Sequence, residues 1–156
     1  MKKIKIGDFI AGENNKFILI AGPCVLENEK TAMDTARYLK KLTAKLKIPL
    51  IFKASYDKAN RTSIKSYRGP GLKKGLAILE KIKGELNIPV LSDVHRFEEI
   101  DSAAKILDVV QVPAFLCRQT DFIIEIAKKA RVINVKKGQF LAPWDVFNII
   151  EKAKMA

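Results

Sequence analysis

The stretch FKASYDKANRTSIKSYRGPG, residues 52–71, sets Lys53, Lys58, Arg61, Lys65 and Arg68 among Ser55, Asp57, Asn60, Thr62 and Ser63. Cations interleaved with hydroxyls and an amide can hold phosphate or carboxylate oxygens by charge-assisted hydrogen bonds. Arginine offers an oxyanion a planar fork, and lysine offers a movable point charge. Other stretches carry comparable groups: Cys24 in AGPC, Asp93 and His95 in SDVH, and Gln111 in VVQV. Arg118 in LCRQTD and Asn134, Lys136, Lys137 and Gln139 in NVKKGQ complete the set. Most of these residues also fit a plainer role. Cys24 fits a small buried side chain, as does Cys117 between Leu116 and Arg118. His95, the single histidine, fits a hydrogen-bonded structural group, and Asp93 fits a turn or helix cap. Gly69-Pro70-Gly71 is turn chemistry ahead of a helix, too short for a GxGxxG phosphate loop. Lys53 and Lys136 differ, because each closes an apolar run. An ammonium there is costly without an anionic partner, which favours ligand contact.

The elements that must position these groups follow from periodicity. Short apolar runs at 17–22, 49–54, 88–93, 108–113 and 132–137 read as buried strands. Between and after them, apolar residues recur at helical spacing over 28–46, 72–86, 97–106, 121–130 and 143–154. The opening KKIKIGDFI reads as a small hairpin outside this series. Five strands alternating with five helices give an α/β chain with a parallel sheet. The strands are nearly continuous apolar runs, as expected where helices cover both faces. Two architectures fit: a five-stranded doubly wound sheet, or five βα units of a (β/α)8 barrel. Both place function at the carboxyl ends of strands. Cys24, the 52–71 stretch, Asp93 with His95, Gln111 with Arg118, and Lys136 all follow such ends.

Composition bounds the partners. The 156 residues, 48% of them hydrophobic, suit a single folded domain, 1–156. The net charge of +12 favours anionic partners, either nucleic acid or small phosphorylated and carboxylated molecules. Many lysines fall on helical stretches such as KKLTAKLK, where they read as solvated faces. Neither a helix-turn-helix nor an aromatic stacking pattern supports nucleic acid. No uncharged apolar run is long enough to span a membrane, and the N-terminus lacks a signal-peptide core. Two distant cysteines match no zinc-finger spacing, so a reducing, cytoplasmic setting is expected.

IAGPCVLE, FKASYDKANRTSIKSYRGPG, SDVH, VVQVPAFLCRQTD and NVKKGQFLAPWD together resemble the 3-deoxy-D-manno-octulosonate 8-phosphate (KDO8P) synthases, from about Ile18 to Trp144. The related 3-deoxy-heptulosonate 7-phosphate synthases usually carry a KPRTS-type segment where this chain has KANRTS, and come second. The resemblance implies a (β/α)8 TIM barrel of which five βα units are legible here. It implies condensation of phosphoenolpyruvate with D-arabinose 5-phosphate, giving KDO8P and phosphate for lipopolysaccharide synthesis. It places phosphoenolpyruvate on Lys53, Lys58, Lys136, Gln111 and the backbone at Ala114. It gives the pentose phosphate to Asn60, Arg61 and the adjacent Thr62. It puts Asp93 and His95 in the active-site floor, with Lys58 and Asn60 as further catalytic groups. Arg118 resembles an arginine that reaches a neighbouring subunit, which implies a homotetramer. Cys24 resembles the cysteine of metal-dependent members, which implies a divalent ion such as zinc, iron(II) or manganese. Two departures stand out. Thr62 replaces the usual serine and keeps the hydroxyl. The family barrel has eight units, and its later metal ligands and a phosphate-binding arginine are not in this sequence. The expectation is an N-terminal barrel portion that is inactive alone, with an inactive remnant as the alternative.

Overall fold

A computed structural model of the chain describes residues 3–12 and 17–156. Two compact units divide the chain, Met1–Ser92 and Asp93–Ala156. The first opens with the expected hairpin: β1 (Ile4–Ile6) pairs antiparallel with β2 (Phe9–Ala11). Lys2, at the edge of that reading, lies outside the described residues. β3 (Leu19–Ala21), β4 (Leu50–Lys53) and β5 (Val90–Asp93) then pair in parallel, in register Ile20↔Ile51 and Phe52↔Val90. Ile51, Phe52, Val90 and Leu91 are almost wholly buried. Each stabilises the unit by about 1.5–3 kcal/mol relative to an exposed side chain.

The helices of this unit start and stop where local chemistry dictates. α1 (Glu29–Leu46) is capped by Asn28, whose Oδ1 accepts the Thr31 N–H at 2.8 Å. It ends at Lys47 in the left-handed conformation. α1 buries Ala32 and Met33 together with Ala36, four and three residues further on. α2 (Leu72–Leu86) begins after Gly71 and buries Leu76, Leu79 and Ile82. Its Gly75 sits against Tyr56, where a Cβ would lie 2.2 Å from the tyrosine Cβ. Only a glycine lets the helix approach that closely. Arg37–Glu85 (3.2 Å) and the Lys81–Glu29 pair link the two helices, and their exposure keeps the contribution small.

In the second unit, β6 (Val109–Val112) and β7 (Ile133–Val135) pair in parallel, with Gln111 opposite Asn134. Val94, just past β5, donates its N–H to the Gln111 carbonyl at 3.1 Å. α3 (Phe97–Ile106), α4 (Thr120–Lys129) and α5 (Val146–Lys154) supply Ile100, Ala103, Phe122, Ile123, Ile126 and Ile149 to the core. Phe97 and Phe122 meet edge to face, with centroids 5.3 Å apart. The last helical stretch opens as a short 3-10 turn, Pro143–Asp145, and becomes α-helical at Val146. A second such turn, Ala114–Leu116, was not legible in the sequence.

The strand order is β3-β4-β5-β6-β7, the order of the sequence. A doubly wound sheet reverses its order at a switch point, and the described strands show no such reversal. The architecture is therefore the sequential βα series of a TIM-barrel-type fold.

Candidate anion-binding site

In the first unit the site grows from the end of β4. Ala54, Ser55 and Tyr56 continue the strand direction fully buried. Ala54 N–H donates to Leu91 C=O (3.2 Å), and Leu26 N–H to Ser55 C=O (2.9 Å). A parallel bridge joins Val25 to Ser55. This backbone fixes the Ser55 hydroxyl, which accepts from Lys53 Nζ at 2.9 Å and from Lys58 Nζ at 3.3 Å. Two ammonium groups on one buried hydroxyl form a compact positive focus that suits an oxyanion. Cys24, one residue before the bridge, has a free and exposed thiol.

The following loop carries Asn60, Arg61 and Thr62, all exposed. Arg61 Nε donates to Tyr67 C=O at 3.1 Å, which leaves the two terminal nitrogens of its guanidinium for a ligand. Arg68 behaves differently. Its Nε and Nη2 donate to Asp57 Oδ1 and Oδ2 at 2.8 and 2.5 Å. The five cations of the stretch are therefore not equivalent.

The second unit places its candidates as follows. His95 Nε2 lies 3.2 Å from Asp93 Oδ2, and the two side chains are only 9% and 8% exposed. Glu99 Oε2 accepts the His95 backbone N–H at 3.0 Å. Asp93 does not cap α3, whose N-cap is Arg96. Gln111 Oε1 accepts from Asn134 Nδ2 at 2.8 Å, as β6–β7 pairing places the two residues opposite one another. Lys136 follows β7, its backbone N–H donating to Val112 C=O at 3.0 Å, and its side chain is exposed. Ala114 opens the 3-10 turn. Arg118 is exposed, and its carbonyl accepts from Lys152 Nζ at 2.9 Å. It borders a cleft of about 470 Å³ shared with His95, Phe97, Leu116 and Phe122. Cys117 is core, as expected, with Sγ accepting the Gly138 N–H at 3.3 Å.

Lys53 with Lys58, Asp93 with His95, and Gln111 with Asn134 are thus brought together. Glu99 escaped the sequence reading, because the adjacent glutamates Glu98 and Glu99 in the first turn of a helix read as dipole chemistry. Its spacing four residues past His95 was the available signal. Among the described residues no group of three or more His, Cys, Asp and Glu could hold a metal ion.

The model of the DAHP synthetase I family matches residues 1–156, the whole chain. The chain belongs to that family. Within it, a 2-dehydro-3-deoxyphosphooctonate aldolase of Geotalea daltonii is 55% identical over 98% of this chain and 56% of its own length. The protein of that name from Polaromonas naphthalenivorans is 58% identical over 98% of the chain and 54% of its own length. That name is the other designation of the KDO8P synthases, so the resemblance read from the motifs holds. The chain spans about half the length of the curated relatives it matches.

Proposed function

We propose that this chain supplies the phosphoenolpyruvate- and pentose-phosphate-binding strand ends of a KDO8P synthase. The carrying observation is the pair Lys53 and Lys58 on the Ser55 hydroxyl. Phosphoenolpyruvate brings a carboxylate and a phosphate, and arabinose 5-phosphate brings a second phosphate. C3 of the enol attacks the aldehyde carbon, water adds at C2, and inorganic phosphate leaves. Bringing two multiply charged substrates together is the electrostatic difficulty, and fixed ammonium groups offset it without reorganising during the reaction. Lys53, Lys58 and Lys136 are assigned to phosphoenolpyruvate, with Gln111 and the Ala114 backbone. Asn60, Arg61 and Thr62 are assigned to the pentose phosphate. The buried Asp93–His95 pair is assigned the proton gained by the aldehyde oxygen, since a carboxylate fixes the imidazole it faces. The name shared by the relatives favours the octonate product over the heptulosonate product.

Cys24 is proposed as one donor to a divalent ion such as zinc, iron(II) or manganese. An exposed thiol can supply a thiolate ligand. The described residues alone do not complete such a site. Catalysis is accordingly proposed to need more than the groups described. A cytoplasmic tetramer to which Arg118 contributes across subunits belongs to the same proposal.

The test supplies phosphoenolpyruvate with arabinose 5-phosphate or erythrose 4-phosphate to a full-length protein containing this sequence. Phosphate release and the mass of the sugar acid are measured. The eight-carbon product is expected from arabinose 5-phosphate. Turnover of erythrose 4-phosphate alone would overturn the assignment.

A further inference from the structure

Residues 57–68 carry Lys58, Asn60, Arg61 and Thr62 on a segment without helix or strand. An exposed polar loop of this kind tends to open easily. Here its base is closed. Lys58 N–H donates to Arg68 C=O at 2.7 Å, and Gly71 N–H to Tyr56 C=O at 3.1 Å. Across this base the Arg68 guanidinium forks onto both oxygens of Asp57. The Asp57 side chain is 16% exposed and that of Arg68 42%. A two-bond fork partly withdrawn from water holds better than a single exposed ion pair. Asp57 is also the only carboxylate in residues 52–71, a stretch that carries five cations.

We propose that Asp57 and Arg68 are positioning residues, whose fork locks the loop in its anion-receiving conformation, and that Arg68 is not itself a ligand. The lock reaches both candidate ligand cations through the backbone. Lys58 is hydrogen-bonded to the Arg68 carbonyl, and Arg61 Nε to the carbonyl of Tyr67, the residue before Arg68. Tyr67 in turn donates its hydroxyl to Leu26 C=O at 3.1 Å. Displacing Arg68 therefore moves the supports of Lys58 and Arg61 together. This inference rests on the loop receiving a phosphate, as proposed above. Observed affinity scales with the fraction of molecules whose loop is closed. Losing a charge-assisted bidentate contact reduces that fraction by about 10- to 100-fold where closure is marginal.

Asp57→Ala, Arg68→Ala, Arg68→Lys and the exchanged pair Asp57→Arg with Arg68→Asp test this in the chain itself. Amide hydrogen exchange across 57–68 reads the lock, and calorimetry with arabinose 5-phosphate and inorganic phosphate reads its consequence. Both alanine variants are expected to speed exchange in the loop and weaken binding about 10- to 100-fold. Arg68→Lys, which keeps the charge without the fork, is expected in between, and the exchanged pair to recover most of both losses. Weakened binding at unchanged exchange, or an exchanged pair that restores slow exchange without affinity, would make Arg68 a direct ligand. Unchanged exchange in Asp57→Ala would remove the lock. If exchange responds as expected and inorganic phosphate binds but arabinose 5-phosphate does not, the lock stands and the substrate assignment fails.

Discussion

Lys58→Met separates a ligand role for the two lysines from a structural one. The variant keeps an unbranched apolar stem and removes the charge. Both ammonium nitrogens bond the same Ser55 oxygen, at 2.9 and 3.3 Å, so they lie within about 6 Å of each other. At an effective dielectric of about 20, two unit charges about 6 Å apart repel by about 3 kcal/mol. Both side chains are half-buried, and solvent screening reduces this to about 1–2 kcal/mol. Removing one charge relieves the repulsion and forfeits one hydrogen bond to Ser55 worth about 1 kcal/mol. The free chain should therefore melt at the same temperature or up to about 4 °C higher, at about 2–4 °C per kcal/mol for this size. Phosphoenolpyruvate affinity should fall, since a charge-assisted contact is worth about 1.5–3 kcal/mol, or about 10- to 150-fold. Calorimetric melting without ligand and titration with phosphoenolpyruvate measure the two quantities. The ligand-induced rise in melting temperature should shrink in parallel. A variant that melts well below the parent and binds phosphoenolpyruvate as tightly would refute the reasoning and leave Lys58 a structural donor to Ser55.

Arg61→Ala should weaken use of arabinose 5-phosphate by about 2–4 kcal/mol in kcat/KM and leave phosphoenolpyruvate binding little changed; steady-state kinetics on a full-length protein containing this sequence decides, and the opposite pattern reverses the substrate assignment. Cys24→Ala should lose bound divalent metal and most activity, while Cys24→Asn retains some; elemental analysis with parallel assays checks this, and full metal content in the alanine variant makes the thiol dispensable. Gly69→Ala should lower the urea midpoint by the equivalent of about 2 kcal/mol or more. Gly69 has φ +123°, and an added Cβ would lie 2.3 Å from the Tyr56 carbonyl oxygen; an unchanged midpoint would show that this turn can relax.

The elements were legible because their signals are local. The apolar run PLIFKA contains the whole of β4, and the leucine spacing of residues 72–86 gives α2 without adjustment. Apart from the C-terminal end of β5, the strands stop one or two residues inside the apolar runs, since pairing rather than hydrophobicity decides where a strand stops. Periodicity left two architectures open. The deciding fact, sequential strand order, concerns which strands neighbour one another, and a single apolar run carries no record of its neighbour.

The site shows the same division more sharply. Sequence reading grouped Lys53, Lys58, Arg61, Lys65 and Arg68 by charge, because charge is what residue types display. The structure sorts them by partner. Lys53 and Lys58 share Ser55, Arg61 is steered by a carbonyl, and Arg68 is held by Asp57. Asp57 is thus more informative than any of the cations. A carboxylate inside an anion-binding segment opposes ligand binding unless another charge engages it, so its presence alone implies an internal partner. Spacing could not name that partner, because Asp57 and Arg68 are eleven residues apart and meet only when the loop closes. The net charge of +12 overstates what an anionic ligand would meet, because cations such as Arg68 and Lys81 already face carboxylates of the chain itself.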